Sequence, residues 1–85
     1  MRSLQVRYYA QLREALKTSA EEVEVQTPVN ERALLERLAA LHPRQRDLFL
    51  ASRVAVDDTY ALPGRAWQGP ELDSGVDIIS PISGG

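Results

Sequence analysis

The sequence predicts one small α+β domain, a mixed sheet covering a single main helix. Three observations carry the prediction. Segments that alternate apolar and polar residues occur towards both ends of the chain, one central stretch repeats its leucines at helical spacing, and no linker, internal repeat or low-complexity run separates the pieces. With 85 residues, 44% of them hydrophobic and 26% charged, the chain has room for one core and none for a second domain. Folding at this size buries about 60 to 65% of the surface that the unfolded chain exposes. A deep enclosed active site is therefore not expected, and partners are expected to complete any site.

The first element is "SLQVRYYA", in which Leu4, Val6 and Tyr8 alternate with Gln5, Arg7 and Tyr9, a strand over residues 3–9. In "QLREALK" the apolar residues move to Leu12, Ala15 and Leu16, the face of a short helix. "EEVEVQ" alternates again through Val23 and Val25 with its glutamates outward, and stops at Thr27 and Pro28, where a backbone donor is missing. Asn30 is a good N-cap for "ERALLERLAALH", whose Leu34, Leu35, Leu38 and Leu41 form the apolar stripe of the main helix. That helix ends near His42, because the ring of Pro43 disfavours helical geometry in the residue before it. "RQRDLFLAS" reads either as a helical turn that plugs the core or as the lead into the next strand, with the turn favoured. "RVAVDDTYAL" gives a strand through Val54 and Val56, a tight bend at Asp57 and Asp58, and a short return through Tyr60 and Leu62. Next comes "PGRAWQGPELDSG", with three of the five glycines, expected to be irregular surface chain anchored by Trp67 and Leu72. The final strand is "VDIIS". The sum is about five strands, one main helix and one short helix.

Composition removes several function classes. Ten Lys+Arg against twelve Asp+Glu give a net charge of −2, which offers no general attraction to nucleic acid or to an anionic membrane. Neither is expected as a partner. The absence of cysteine excludes a disulfide framework, a thiolate metal site and a cysteine nucleophile. Arg2, Arg7 and Arg13 interrupt the N-terminal apolar residues, so no signal peptide is read, and no apolar run approaches the roughly 20 residues of a spanning helix. A cytoplasmic protein is the expectation.

No catalytic constellation is visible. His42, the only histidine, reads as a helix-end residue whose charge would suit the dipole. Asp57 and Asp58 read as turn chemistry, because adjacent strand residues point to opposite faces. Glu21, Glu22 and Glu24 read as a solvated strand face, and Arg44 with Arg46 as a solvated loop. Gly64, Gly69 and Gly75 lack the spacing of a phosphate-binding loop. No metal or stably bound cofactor is implied.

What remains is the end of the chain, "SPISGG". On composition it reads as a frayed terminus. Its geometry allows another use: residues 80–85, extended, reach about 20 Å, and Gly84 and Gly85 have no side chains to obstruct a narrow channel. The terminal carboxylate has an ordinary pKa of about 3.5 and does not react with nucleophiles until it is activated from outside. Adenylation would supply a leaving group, and a sulfur donor could then make a thiocarboxylate.

Three segments, "RYYAQLRE", "VAVDDTYA" and "ISPISGG", resemble in order and spacing the MoaD family, the sulfur-carrier small subunit of molybdopterin synthase. The resemblance implies a ubiquitin-like β-grasp domain over residues 1–80 and a flexible tail over 81–85, formed by Pro81, Ile82, Ser83, Gly84 and Gly85. It implies that an activating enzyme uses ATP to adenylate Gly85, that a sulfur donor protein converts it to the thiocarboxylate, and that the large synthase subunit takes up the tail. Two small and two large subunits would form a heterotetramer in which sulfur is added to cyclic pyranopterin monophosphate. The small subunit would supply no catalytic side chain. By the same resemblance Tyr9, Tyr60 and Ile79 occupy an apolar partner surface on the sheet near the tail. Alternation independently turns Tyr9 and Ile79 away from the core, although either tyrosine ring could instead cover the core edge.

The sequence departs from that family in carrying "DSG" before the last strand, two isoleucines and Asp77 within it, and Ser80-Pro81 after it. Family members commonly have a Gly-Asp-Glu turn, aromatic residues and Pro-Pro there. Two other readings follow: a related carrier or modifier, serving thiamine, tRNA thiolation or protein lysines, and a passive β-grasp binding module.

Overall fold

The computed structural model describes residues 1–81. In chain order the strands are β1 (Arg2–Tyr8), β2 (Ala20–Val25), β3 (Val29–Asn30), β4 (Arg53–Val56), β5 (Thr59–Tyr60), β6 (Ala66–Trp67) and β7 (Val76–Ile79). The helices are α1 (Ala10–Leu16), α2 (Glu31–Leu41) and α3 (Arg46–Leu50). A five-stranded sheet runs β2-β1-β7-β4-β5, with β1 and β7 parallel and the other pairs antiparallel. The mixed sheet wraps α2, as expected.

Alternation in β1 places Leu4, Val6 and Tyr8 inward, and β7 adds Val76 and Ile78, all buried. Against them α2 lays Leu34, Leu35, Leu38 and Ala39. Each Leu, Val or Ile side chain removed from water here contributes about 1.5–3 kcal/mol, and this face is the main source of stability. Asn30 caps α2 as its sequence predicts, its Oδ1 accepting the Ala33 N–H at 2.8 Å. Glu31 of the first turn accepts the Val54 N–H and the Arg53 Nε–H, each at 2.9 Å, tying the start of α2 to β4. The segment at 46–50 is helical, and its Phe49 is fully buried as the core plug.

Several expectations need correction. Leu41 is 42% exposed, because the inward seam continues through Ala39, four residues after Leu35, and the His42 ring stacks on Phe49 at the helix end. Ala15 is exposed as well, since α1 is short and buries Leu12 alone. The return strand stops at Tyr60, leaving Leu62 70% exposed: Pro63 has no donor to continue a ladder, and the chain turns through Gly64 at φ +79°. Trp67 and Leu72 are the buried anchors expected of the long loop. That loop is more regular than expected, for β6 pairs with β3 and a 3₁₀ turn spans Pro70–Leu72. Among the described residues no helix is long and apolar enough to cross a membrane.

Gly75 sets the approach to β7. Its φ of +82° is a left-handed conformation, and a Cβ there would lie 2.6 Å from the Gln5 carbonyl oxygen. Only glycine lets this turn press against β1.

Candidate functional site

Sheet register assembles a site on the face away from α2. Arg7 pairs with Asp77, Asp77 with Ala55, and Ala55 with Tyr60, so these residues form a row across β1, β7, β4 and β5. Ile79 follows on β7, next along that face, and Tyr9 follows the end of β1. Tyr60 is returned to the row by the two-residue turn Asp57-Asp58, both with positive φ, 52° and 62°, as a tight hairpin requires. The small side chain of Ala55 leaves the floor low between taller neighbours. The result is a concavity of about 310 Å³ lined by Tyr9, Ala55, Asp58, Tyr60, Asp77 and Ile79.

Asp77 organises its floor. Its Oδ1 accepts the Arg7 Nε–H at 2.7 Å and the Tyr9 hydroxyl at 2.8 Å. Arg7 also donates to the Ser74 carbonyl, so one guanidinium joins β1, β7 and the turn before β7. The bond to Asp77 raises the pKa of Arg7, and the same carboxylate is the first cause of the raised Tyr9 pKa. Both groups stay protonated as donors at neutral pH. At the rim the Arg53 guanidinium lies 5.1 Å from the centroid of the Tyr60 ring while its Nε pairs with Glu31.

The structure thus brings Tyr9, Tyr60 and Ile79 into one concavity, with Tyr9 39% and Tyr60 51% exposed. Pro81 is exposed, two residues after Ile79. Ile82, Ser83, Gly84 and Gly85 lie outside the described residues. Sequence reasoning missed Arg7, Ala55 and Asp58 as parts of the site, and noted Asp77 only as a departure. The available signal was a carboxylate inside an otherwise apolar strand, in phase with Ile79.

Two other expectations change on the inner side. Glu21 is not simply a solvated strand residue: it accepts the Tyr8 hydroxyl, and its Oε2 lies 2.6 Å from His42 Nε2. His42 is correspondingly more than a helix end, since it links α2 to β2 and stacks on Phe49. Among the described residues no cluster of three or more His, Cys, Asp or Glu could hold a metal ion.

Comparison with known proteins agrees with this architecture. The profile of the ThiS family matches residues 6–85. SAMP1 from Haloferax volcanii is similar in structure, with a TM-score of 0.70 and 20% identity over 99% of this chain and 100% of that one. A Pyrococcus furiosus protein described as molybdopterin converting factor, subunit 1, is similar with a TM-score of 0.71 and 20% identity, over 96% of this chain and 100% of that one. At that identity the two structures bear on the fold, which is the ubiquitin-like β-grasp. No curated protein matches the sequence.

Proposed function

Because the chain belongs to the ThiS family, ubiquitin-like sulfur carriers of the ThiS and MoaD type, we propose that it carries sulfur as a thiocarboxylate on Gly85 and serves molybdenum cofactor biosynthesis. One observation carries the reading. Tyr9, Tyr60 and Ile79, far apart in sequence and matched singly to the partner surface of the resembled carriers, line one concavity, and Ile79 is the last residue of β7 before the tail.

The chemistry needs nothing from the domain beyond presentation. The ionised carboxylate of Gly85 attacks the α-phosphorus of ATP on the activating enzyme, forming the acyl adenylate with loss of pyrophosphate. The terminal sulfur of a persulfide on the sulfur donor protein then attacks the acyl carbon and AMP leaves. A second thiol cleaves the resulting acyl disulfide, so that the thiocarboxylate is released as the two thiols become a disulfide. The thiocarboxylate sulfur is a good nucleophile, and within the large synthase subunit it is transferred to cyclic pyranopterin monophosphate. Hydrolysis of the resulting acyl link returns the carboxylate. ATP belongs to the activating enzyme, and the carrier keeps no cofactor of its own. Pro81 acts as a stiff exit from the sheet, Ile82 and Ser83 as a spacer, and Gly84 and Gly85 as the part thin enough for the channel.

The test is intact-mass measurement after incubating the full chain with a molybdopterin-type activating enzyme, ATP and a sulfur donor. One oxygen should be replaced by sulfur, and the product should support dithiolene formation by the large subunit. Deleting Gly85 should abolish both; activity that survives the deletion sinks the reading. Sulfur loading only by a thiamine-type enzyme, with delivery to thiazole synthesis, would move the chain to that branch. Lysine-linked conjugates would make it a protein modifier.

A further inference from the structure

The outer concavity carries a chemistry that an apolar docking patch does not explain. Tyr9, Tyr60, Ala55 and Ile79 supply rings and apolar surface, but Asp58 and Asp77 add two carboxylates, and no arginine or lysine is among the lining residues. Asp77 is held deep, its side chain 15% exposed. Both of its bonds among the described residues fall on Oδ1, which leaves Oδ2 with unused acceptor capacity. Asp58 forms no ion pair among the described residues.

The two arginines nearest the concavity are already engaged. Arg7 is bound to Asp77 Oδ1 and the Ser74 carbonyl, and Arg53 to Glu31 and the Ala61 carbonyl. A wholly apolar partner surface laid over the concavity would strip water from Asp77 Oδ2 and from Asp58 without replacing it. Uncompensated desolvation of a charge is among the costliest events at an interface.

Resting on the carrier reading above, which requires a protein to dock on this face, we infer that the docking partner inserts an arginine side chain into the concavity. Its guanidinium meets the carboxylates of Asp58 and Asp77 and lies against the tyrosine rings. Arginine suits the site better than lysine: the guanidinium is planar, presents several donors at fixed angles to two separate acceptors, is weakly hydrated and stacks on aromatic faces. Asp77 is then a specificity determinant. A partner with an apolar or acidic group at the facing position is rejected because it leaves Asp77 Oδ2 and the Asp58 carboxylate without a donor, and one with arginine is accepted.

The test uses amide NMR of the isotope-labelled full-length chain, titrated with N-acetyl-arginine methylamide and, separately, with N-acetyl-norleucine methylamide. The arginine probe should shift the amides of Ala55, Asp58, Tyr60 and Asp77, and the norleucine probe should not. Asp77→Asn should weaken the response by about tenfold, the scale of one charge-assisted bond. Asp58→Asn should weaken it severalfold, and it is the control for folding, because asparagine tolerates positive φ at that turn. Equal responses to the two probes, no response to arginine, or a response unchanged in Asp58→Asn would overturn the inference. So would shifts of the same amides on simple concentration without probe, which would assign the face to a second copy of the chain. Arginine binding without sulfur loading of Gly85 would count against the carrier reading while leaving the site intact. Sulfur loading without arginine binding would do the reverse.

Discussion

Tyr8 and Tyr9 are neighbours in the chain, lie on opposite sides of the sheet, and each donates its hydroxyl to a carboxylate, Glu21 for one and Asp77 for the other. Tyr8 itself is closed off: its buried ring meets Phe49 edge-on at 5.9 Å and 65°, and its half-buried acceptor Glu21 is also engaged by His42. Around Tyr9 the surface is open. The difference shows what burial does to the same bond. A hydroxyl inside the core must find a protein partner because no water can reach it, whereas Tyr9 could bond solvent, so its bond to Asp77 serves to hold the ring in place. The inner region stabilises the domain, and the outer region holds the shape of the proposed docking surface.

Breaking the inner region should have the largest effect. Phe49→Ala removes the plug shared by Tyr8 and His42 and should cost about 3–5 kcal/mol in urea denaturation, enough to unfold much of a small domain. The support of the outer face should be the next most sensitive. Gly75→Ala forces a Cβ against the Gln5 carbonyl at an unfavourable φ and should cost about 1–3 kcal/mol, read by the same titration.

The two hydroxyls give a sharper contrast. Tyr8→Phe leaves Glu21 short of one donor and should cost about 1 kcal/mol, whereas Tyr9→Phe should change stability by less than about 0.5 kcal/mol while weakening binding of the docking partner. Alkaline titration separates them again. Burial, followed by the bond to Glu21, raises the Tyr8 pKa far above the ordinary tyrosine value. Below about pH 10 the phenol is protonated in both folded and unfolded chains, and its stabilising contribution is fully present. Above that, the unfolded chain loses a proton that the folded chain keeps, so stability falls by up to about 1.4 kcal/mol per pH unit. Tyr8→Phe should flatten that alkaline decline. Tyr9, raised chiefly by Asp77 and lying near the surface, should account for a smaller part of it.

Much of the fold was legible because it rests on local periodicity. The alternation in β1, the leucines of α2, the Asn30 cap, the Asp57-Asp58 turn and the plug at Phe49 are all encoded within short windows. The rest depends on who meets whom. β3 and β6 have two residues each, too few to show a period, and exist because they pair with one another. Glu21 looked solvated because nothing nearby in sequence reveals that Tyr8 and His42 converge on it. Tyr9 and Ile79 were readable from alternation, but the Arg7–Asp77 pair depends on a parallel register between β1 and β7 that no turn announces.

That central pairing also constrains how the molecule forms. β7 comes last among the strands in chain order, yet it lies between β1 and β4. Before it docks, β1–β2 and β4–β5 are separate two-stranded ribbons, each marginal alone in water. Joining them closes a span of 70 residues between Arg7 and Asp77, a non-local step that slows folding relative to a hairpin. As the ribosome delivers the chain, the sheet must wait for its keystone strand. The surface centred on Asp77 therefore comes into being together with the strand that leads to the C-terminal glycines, and a half-made domain presents no finished outer face.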